Sequence, residues 1–328
     1  MILCKKTLLI TIFLCLLLEL QAQDKILIIH SYSSDNNWVQ SQTKGIKNIL
    51  GNDYKYFQFF MNTKKIPKNQ FALKAQEAIT YYKKVKPDLV FITDDNALKL
   101  LGLALEKDTP LVFGGINGNI KKDYPWILES INITGVLERP LIKRSISQIK
   151  KALDIKGKAL LILGDSPTAH SFYNEEFKRT GFTKRLDIDT YISGNFTNWK
   201  KTILSSKEKG YSMLMIAGNQ AMRDKSNNHI DKNIISAWIS KHSPLPTFTI
   251  HTKQIGKGLL IGGMVIKGEL MGEEMGIIAK KILDIKIIPS RIKIHTQYKT
   301  YLIFSQSELE KKNLNISPSY EFPVTLFD

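Results

Sequence analysis

The chain has 328 residues, 47 Lys and Arg against 30 Asp and Glu, a formal charge of +17, and 2 cysteines. A basic balance of this size raises nucleic acid or an anionic membrane as partners. The lysines, however, are scattered through stretches such as YYKKVK (81–86) and KKTILSSKEK (200–209), as on solvated helix faces, with no zinc-finger spacing and no arginine-rich arm, so no nucleic-acid partner is expected.

Residues 1–22 read as a signal peptide. Lys5 and Lys6 form a basic start, TLLITIFLCLLL (7–18) is an apolar core, and LQA (20–22) offers cleavage after Ala22, which predicts export to the periplasm. Glu19 interrupts the run before it reaches the roughly 20 apolar residues of a membrane span. Cys15 follows a bulky Leu14, which argues against a lipoprotein. Both cysteines, Cys4 and Cys15, lie in this leader, so the remainder has no thiol for a disulfide, a metal site or nucleophilic catalysis.

From Lys25 short apolar runs alternate with amphipathic stretches. Strands are predicted at 25–30, 54–60, 88–93 and 110–116, and helices at 38–50, 69–85 and 96–105. NITGVLERP (132–140) reads as a connection. The alternation then restarts with helices at 141–153, 168–181, 198–210 and 231–242, and strands at 158–164, 185–192, 212–218 and 245–250. Strands that are continuous apolar runs separated by helices predict parallel sheets covered on both faces, and two such series predict two doubly wound lobes. A strand at 258–266, a long helix at 268–284 and a strand-rich tail with one short helix complete the chain; periodicity alone leaves open which lobe they join.

Ligands of doubly wound sheets sit beyond the carboxyl ends of the strands. The residues there are Ser31 and Tyr32, followed by Trp38; Asp94, Asp95 and Asn96; Asn117; Asp165 and Ser166; Asn219; and His251. This set is rich in hydrogen-bonding groups and aromatic rings and poor in catalytic machinery, as a small-molecule binding site requires. One of Asp94 and Asp95 is expected to cap the helix beginning near Asn96, leaving the other for a ligand donor. Asp165-Ser166-Pro167 likewise reads as a helix start. GGING (114–118) is not a dinucleotide fingerprint, and neither a P-loop nor a nucleophile elbow is present. His30, His170 and His251 with the two aspartates are the conceivable metal ligands, but no two of the 6 histidines stand at helical ligand spacing; no metal, cofactor or catalytic residue is expected.

ILIIHSYSSDNNWVQSQTKGI (26–46), FFMNTKKIP (59–67), PDLVFITDDNALKLLG (87–102), PLVFGGIN (110–117) and the later GGMVIKGELMGEEMGIIAKKILDIKIIPSRIKI resemble ABC-transporter substrate-binding proteins of the tryptophan/tyrosine type and related sensor-like domains. The resemblance implies the class I periplasmic-binding-protein fold, two αβα lobes joined by three crossovers near 134–136, 262–264 and 289–291. It places lobe 1 at 23–135 plus 264–288 and lobe 2 at 136–263 plus 289–328. It further implies a non-enzymatic, monomeric binder that encloses a small solute, an amino acid or other amine, in an interlobe cleft by hinge closure and presents it to a membrane permease; a membrane receptor is the alternative partner and an enzyme using the same cleft the lesser one. Where related members carry glycine and proline before the tryptophan, this chain has SSDNN (33–37), so the identity of the ligand is not carried over.

Overall fold

The computed structural model describes residues 23–139, 141–178, 187–219 and 222–328; the predicted signal peptide lies outside them. The described residues form two compact units, one of 23–116, Ile120–Val136 and Met271–Ile294, the other drawn from Asn117–Asn119, Leu137–Leu270 and His295–Asp328.

In the first unit, β1 (Lys25–His30), α1 (Asn37–Leu50), β2 (Lys55–Phe60), α2 (Phe71–Val85), β3 (Leu89–Thr93), α3 (Asp94–Leu105), β4 (Leu111–Ile116), the single turn α4 (Ile120–Asp123) and β5 (Ile133–Leu137) follow in order. The strands lie in the order β5-β4-β3-β1-β2, and the β4-β3, β3-β1 and β1-β2 pairs are parallel. Ile26, Leu27, Ile28 and Ile29 of β1 are fully buried, as helices on both faces of a parallel sheet require. Each such side chain contributes about 1.5–3 kcal/mol of burial. The segment 132–140 is not merely a connection. Its β-branched Ile133, Thr134 and Val136 form β5, and Gly135 lets the strand lie against the Phe113 carbonyl, where a Cβ would collide.

In the second unit α5 (Ile142–Ala152), β6 (Lys158–Leu163), α6 (Pro167–Phe172), β7 (Ile188–Ile192), α7 (Phe196–Leu204), β8 (Tyr211–Ala217), α8 (Lys232–His242) and β9 (Thr247–Thr249) build a parallel sheet in the order β7-β6-β8-β9. A second sheet, β10-β12-β13, combines β10 (Gly262–Val265), β12 (Tyr301–Ser305) and β13 (Val324–Phe327), with the short α10 (Gln306–Lys311) after β12. The two-residue β11 (His295–Thr296) precedes β12. Ile142, Ile146 and Ile149 of α5 share a core with Leu161, Met213, Met215, Phe248 and Phe304. Two helices depart from the predicted spans. α7 ends at Leu204 because the Ser205 and Ser206 hydroxyls bond back to the Lys201 and Ile203 carbonyls. α6 passes into a π turn at Tyr173–Lys178, and its predicted end at Gly181 lies outside the described residues.

The long helix α9 (Gly268–Leu283) contributes Met271, Met275, Ile278 and Ile282 to the first unit's core, beside Ile46 and Leu50 of α1. Gly272 and Gly276 face α1 so closely that a Cβ at Gly272 would strike the Gln42 carbonyl and one at Gly276 would meet Ile49 at 2.8 Å. The sequence thus sets α1 against α9 backbone to backbone.

Candidate binding site

In the first unit, the loops after β1, β2 and β3 are tied into one network. Ser31, fully buried, directs its hydroxyl to the Thr93 and Asp94 carbonyls (2.8 and 3.2 Å) and accepts the Ala97 N–H (2.8 Å). It thereby satisfies one of the free N–H groups at the start of α3. The Thr63 hydroxyl donates to the Ser31 carbonyl at 2.8 Å, and Asn96 Nδ2 donates to Thr63 Oγ1 at 2.9 Å. Ser31 and Asn96 therefore hold the site's frame.

The two aspartates do not divide as a cap and a free carboxylate. The N-cap of α3 is Thr93, which makes no side-chain cap bond, and Asp94 and Asp95 both lie in the first turn. There the helix dipole favours their negative charge. Asp95 accepts a 2.8 Å hydrogen bond from the Tyr124 hydroxyl. Tyr124 is buried, and burial together with the Asp95 charge drives its phenol pKa well above the ordinary value.

Asp94 is also buried, at 4% exposure, and adopts φ +66°, a left-handed conformation that Asp tolerates better than most residues. Beside it stands Gln42 of α1, which sequence reasoning did not select. A Cβ on Gly115 would lie 3.0 Å from Gln42 Nε2 and 3.3 Å from Asp94 Oδ1, so both side chains converge over this glycine, itself at φ +74°. Gln42 is fully buried, and neither polar atom of its amide finds a hydrogen-bond partner among the described residues. Tyr32 is half-buried with the Lys64 ammonium 3.4 Å from its ring centroid, and Trp38 is half-buried in the first turn of α1. Asp94 and Gln42 offer a carboxylate and an amide, a chemistry suited to holding a hydrogen-bond donor or an ammonium group.

His30, directly before Ser31, is part of this frame. Its Nδ1 lies 3.2 Å from Thr93 Oγ1, and its Nε2 lies 3.3 Å from both Gln58 Oε1 and Thr43 Oγ1. The Gln58 oxygen only accepts, which places the imidazole proton on Nε2. The ring stacks on Phe60 at 5.1 Å, and burial lowers its pKa to about 4.

In the second unit, Ser166 caps α6 by accepting the Ala169 N–H at 3.2 Å, while Asp165 accepts from His170 Nε2 at 2.7 Å. The expected helix start is thus carried by the serine, with the aspartate paired to histidine. Asn219 follows β8, fully buried, and its amide has no hydrogen-bond partner among the described residues. Asn117 Nδ2 donates to Glu138 Oε2 at 3.3 Å. His251 is half-buried, and its backbone N–H donates to Thr249 Oγ1 at 3.2 Å. Among the described residues there is no group of three or more His, Cys, Asp or Glu able to hold a metal ion, and no helix is long and apolar enough to cross a membrane.

No protein-family model matches the chain, and no curated protein matches it by sequence. Solved structures do match in fold. An ABC domain in complex with L-Trp from Streptococcus pneumonia is similar with a TM-score of 0.62 at 16% identity, over 93% of this chain and 100% of that one. A substrate binding protein with adhesive properties from Clostridium difficile, ligand-free and open, gives a TM-score of 0.69 at 14% identity, over 93% and 99%. A XylFII–LytSN complex gives 0.53 at 13% identity, over 86% and 98%. The fold is the two-lobe class I periplasmic-binding fold, the fold of ABC-transporter solute-binding proteins.

Proposed function

We propose that this chain is an exported solute-binding protein that captures an amine-bearing small molecule, amino acids foremost, and hands it to an ABC-type permease. The observation that carries this reading is the convergence of Asp94 and Gln42 over Gly115 at the carboxyl ends of parallel strands, with Asp95 alongside in the same helical turn. Asp94 takes the ammonium group of the solute, Gln42 adds an amide, and Tyr32 and Trp38 supply aromatic surface. From the second unit, Asp165, Ser166, Asn117, Asn219 and His251 are the proposed contacts. The residues act by binding alone, without a catalytic step. The L-Trp carried by one structural neighbour supports an amino-acid ligand class. Removal of the leader after Ala22 places the protein in the periplasm. A second reading is that occupancy is reported to a membrane signalling protein; that a structural neighbour is a complex, XylFII–LytSN, supports a protein partner for this fold.

A thermal-shift screen against amino acids, polyamines, purines and sugars tests the proposal. An amine at 100 times its dissociation constant adds about 2.7 kcal/mol to wild type. The same amine leaves Asp94→Asn unshifted. A response only to sugars or purines would redirect the ligand class, and no response to any solute would refute binding.

A further inference from the structure

The loop after β2 brings a cation to the same end of the sheet as Asp94. The Asn62 carbonyl, on a residue at φ +56°, accepts the N–H groups of Lys65 and Ile66 at 2.8 and 3.1 Å, which makes a tight turn with Thr63 and Lys64 at its centre. Thr63 is clamped: its N–H and its hydroxyl both donate to the Ser31 carbonyl, at 2.9 and 2.8 Å, and its oxygen accepts from Asn96 Nδ2. The Ser31 hydroxyl reaches the Asp94 carbonyl. Two hydrogen-bonded steps therefore tie the turn that carries Lys64 to the backbone of Asp94.

The two adjacent lysines of this turn are held in different ways. Lys65 donates to both carboxylate oxygens of Asp35, at 2.8 and 2.7 Å, and the pair is neutral. Lys64 lies over the face of Tyr32 with its ammonium 3.4 Å from the ring centroid, well inside the roughly 6 Å reach of such contacts. A ring face fixes a cation through its quadrupole and does not cancel its charge. Tyr32 belongs to the loop after β1, which lies between β2 and β3, so this contact also draws Lys64 from the edge of the sheet toward the Asp94 side.

We propose, resting on Asp94 as the partner of the solute's ammonium group, that Lys64 receives the solute's carboxylate, which makes the site selective for zwitterionic α-amino acids over simple amines. Asp94 stands over Gly115 of β4 and Lys64 over Tyr32 after β1, and only β3 separates these two strands. Two strand spacings of about 4.8 Å put the two groups about 10 Å apart. Two charge-assisted contacts of about 2.8 Å each, added to the few ångströms between the charges of an α-amino acid, span about 8 Å. The order of charges matches as well. A zwitterion meets an opposite charge at each end, whereas the second ammonium of a diamine would be brought toward Lys64 and repelled.

Titration calorimetry of the full chain tests this with L-tryptophan, L-tyrosine, L-leucine and L-lysine, each beside its decarboxylated counterpart, tryptamine, tyramine, isoamylamine or cadaverine. In the wild type the amino acid that binds most tightly exceeds its amine in affinity by about tenfold or more, as one added bond between charged groups gives. Lys64→Met keeps the length of the side chain and removes its charge; it lowers the affinity for that amino acid to the level of its amine and leaves the amine unchanged. Lys64→Arg keeps the charge and the stacking on Tyr32, and retains the preference. A merely structural role for Lys64 would weaken amino acid and amine alike. Circular dichroism verifies that each variant is folded. Equal affinity for amino acid and amine in the wild type, or equal loss of both in Lys64→Met, overturns the role of Lys64 and leaves that of Asp94 standing. Undiminished binding of both by Asp94→Asn overturns the role of Asp94 instead, and a panel in which no compound binds overturns the selectivity outright.

Discussion

Gln42→Met separates stability from function at the proposed site. Gln42 is fully buried in α1 with both polar atoms of its amide lacking a hydrogen-bond partner among the described residues. An unsatisfied buried polar group costs about 1–3 kcal/mol, and its replacement by an apolar group of the same shape removes that cost. Methionine matches glutamine in length and lacks only its terminal fork, so packing against Gly115 is largely retained and no overpacking penalty enters. The expected gain is about 2 kcal/mol in the ligand-free protein, which for a chain of this size raises Tm by about 3 °C. Urea unfolding should show a higher midpoint at unchanged slope, since the buried surface does not change. Ligand-induced stabilisation should fall in the same variant, because the amide that cost stability is the group offered to the solute. Destabilisation by Gln42→Met, or an undiminished ligand shift, would refute the reasoning.

Tyr124→Phe removes the hydroxyl that holds Asp95 at 2.8 Å. The loss is expected at about 1.5 kcal/mol, the low end for a bond to a charged acceptor because Asp95 is only half-buried; equilibrium unfolding measures it. His30 stays neutral in the folded chain down to about pH 4, whereas the unfolded chain takes up the proton near pH 6.5. The unfolded state therefore binds more protons between these values, and stability declines as pH falls through that window, by up to roughly 3 kcal/mol. His30→Gln should flatten this part of the pH–stability curve in urea melts; an unchanged slope would show that other groups carry it. Gly272→Ala forces a Cβ into the Gln42 carbonyl and pushes α9 off α1, which should lower stability by about 2–3 kcal/mol in the same assay.

The parallel strands were legible in the sequence because burial on both faces leaves unbroken apolar runs such as Ile26–Ile29 and Leu89–Ile92. β5 escaped that reading because Gly135 interrupts its run, and only the close approach to Phe113 explains why a glycine stands there. The start of α3 was misread for a related reason. Local spacing offers Asp94 and Asp95 as caps, whereas the acceptor for the Ala97 N–H is Ser31, 66 residues distant, which no local pattern encodes. Gln42 did leave a trace in the sequence. It falls between Val39 and Ile46 on the buried stripe of α1, a polar residue at an apolar position. What periodicity could not supply is that its amide meets Asp94 over Gly115, since that depends on three segments joined by the sheet.

Titration calorimetry of the wild-type protein with the amine that gives the largest thermal shift tests the central claim most directly, when coupled to chemical analysis of the solute after prolonged incubation. The account predicts one solute bound per chain, loss of the binding heat in Asp94→Asn, and recovery of the solute unchanged. Conversion of the solute into a product, or full binding heat in Asp94→Asn, would contradict it.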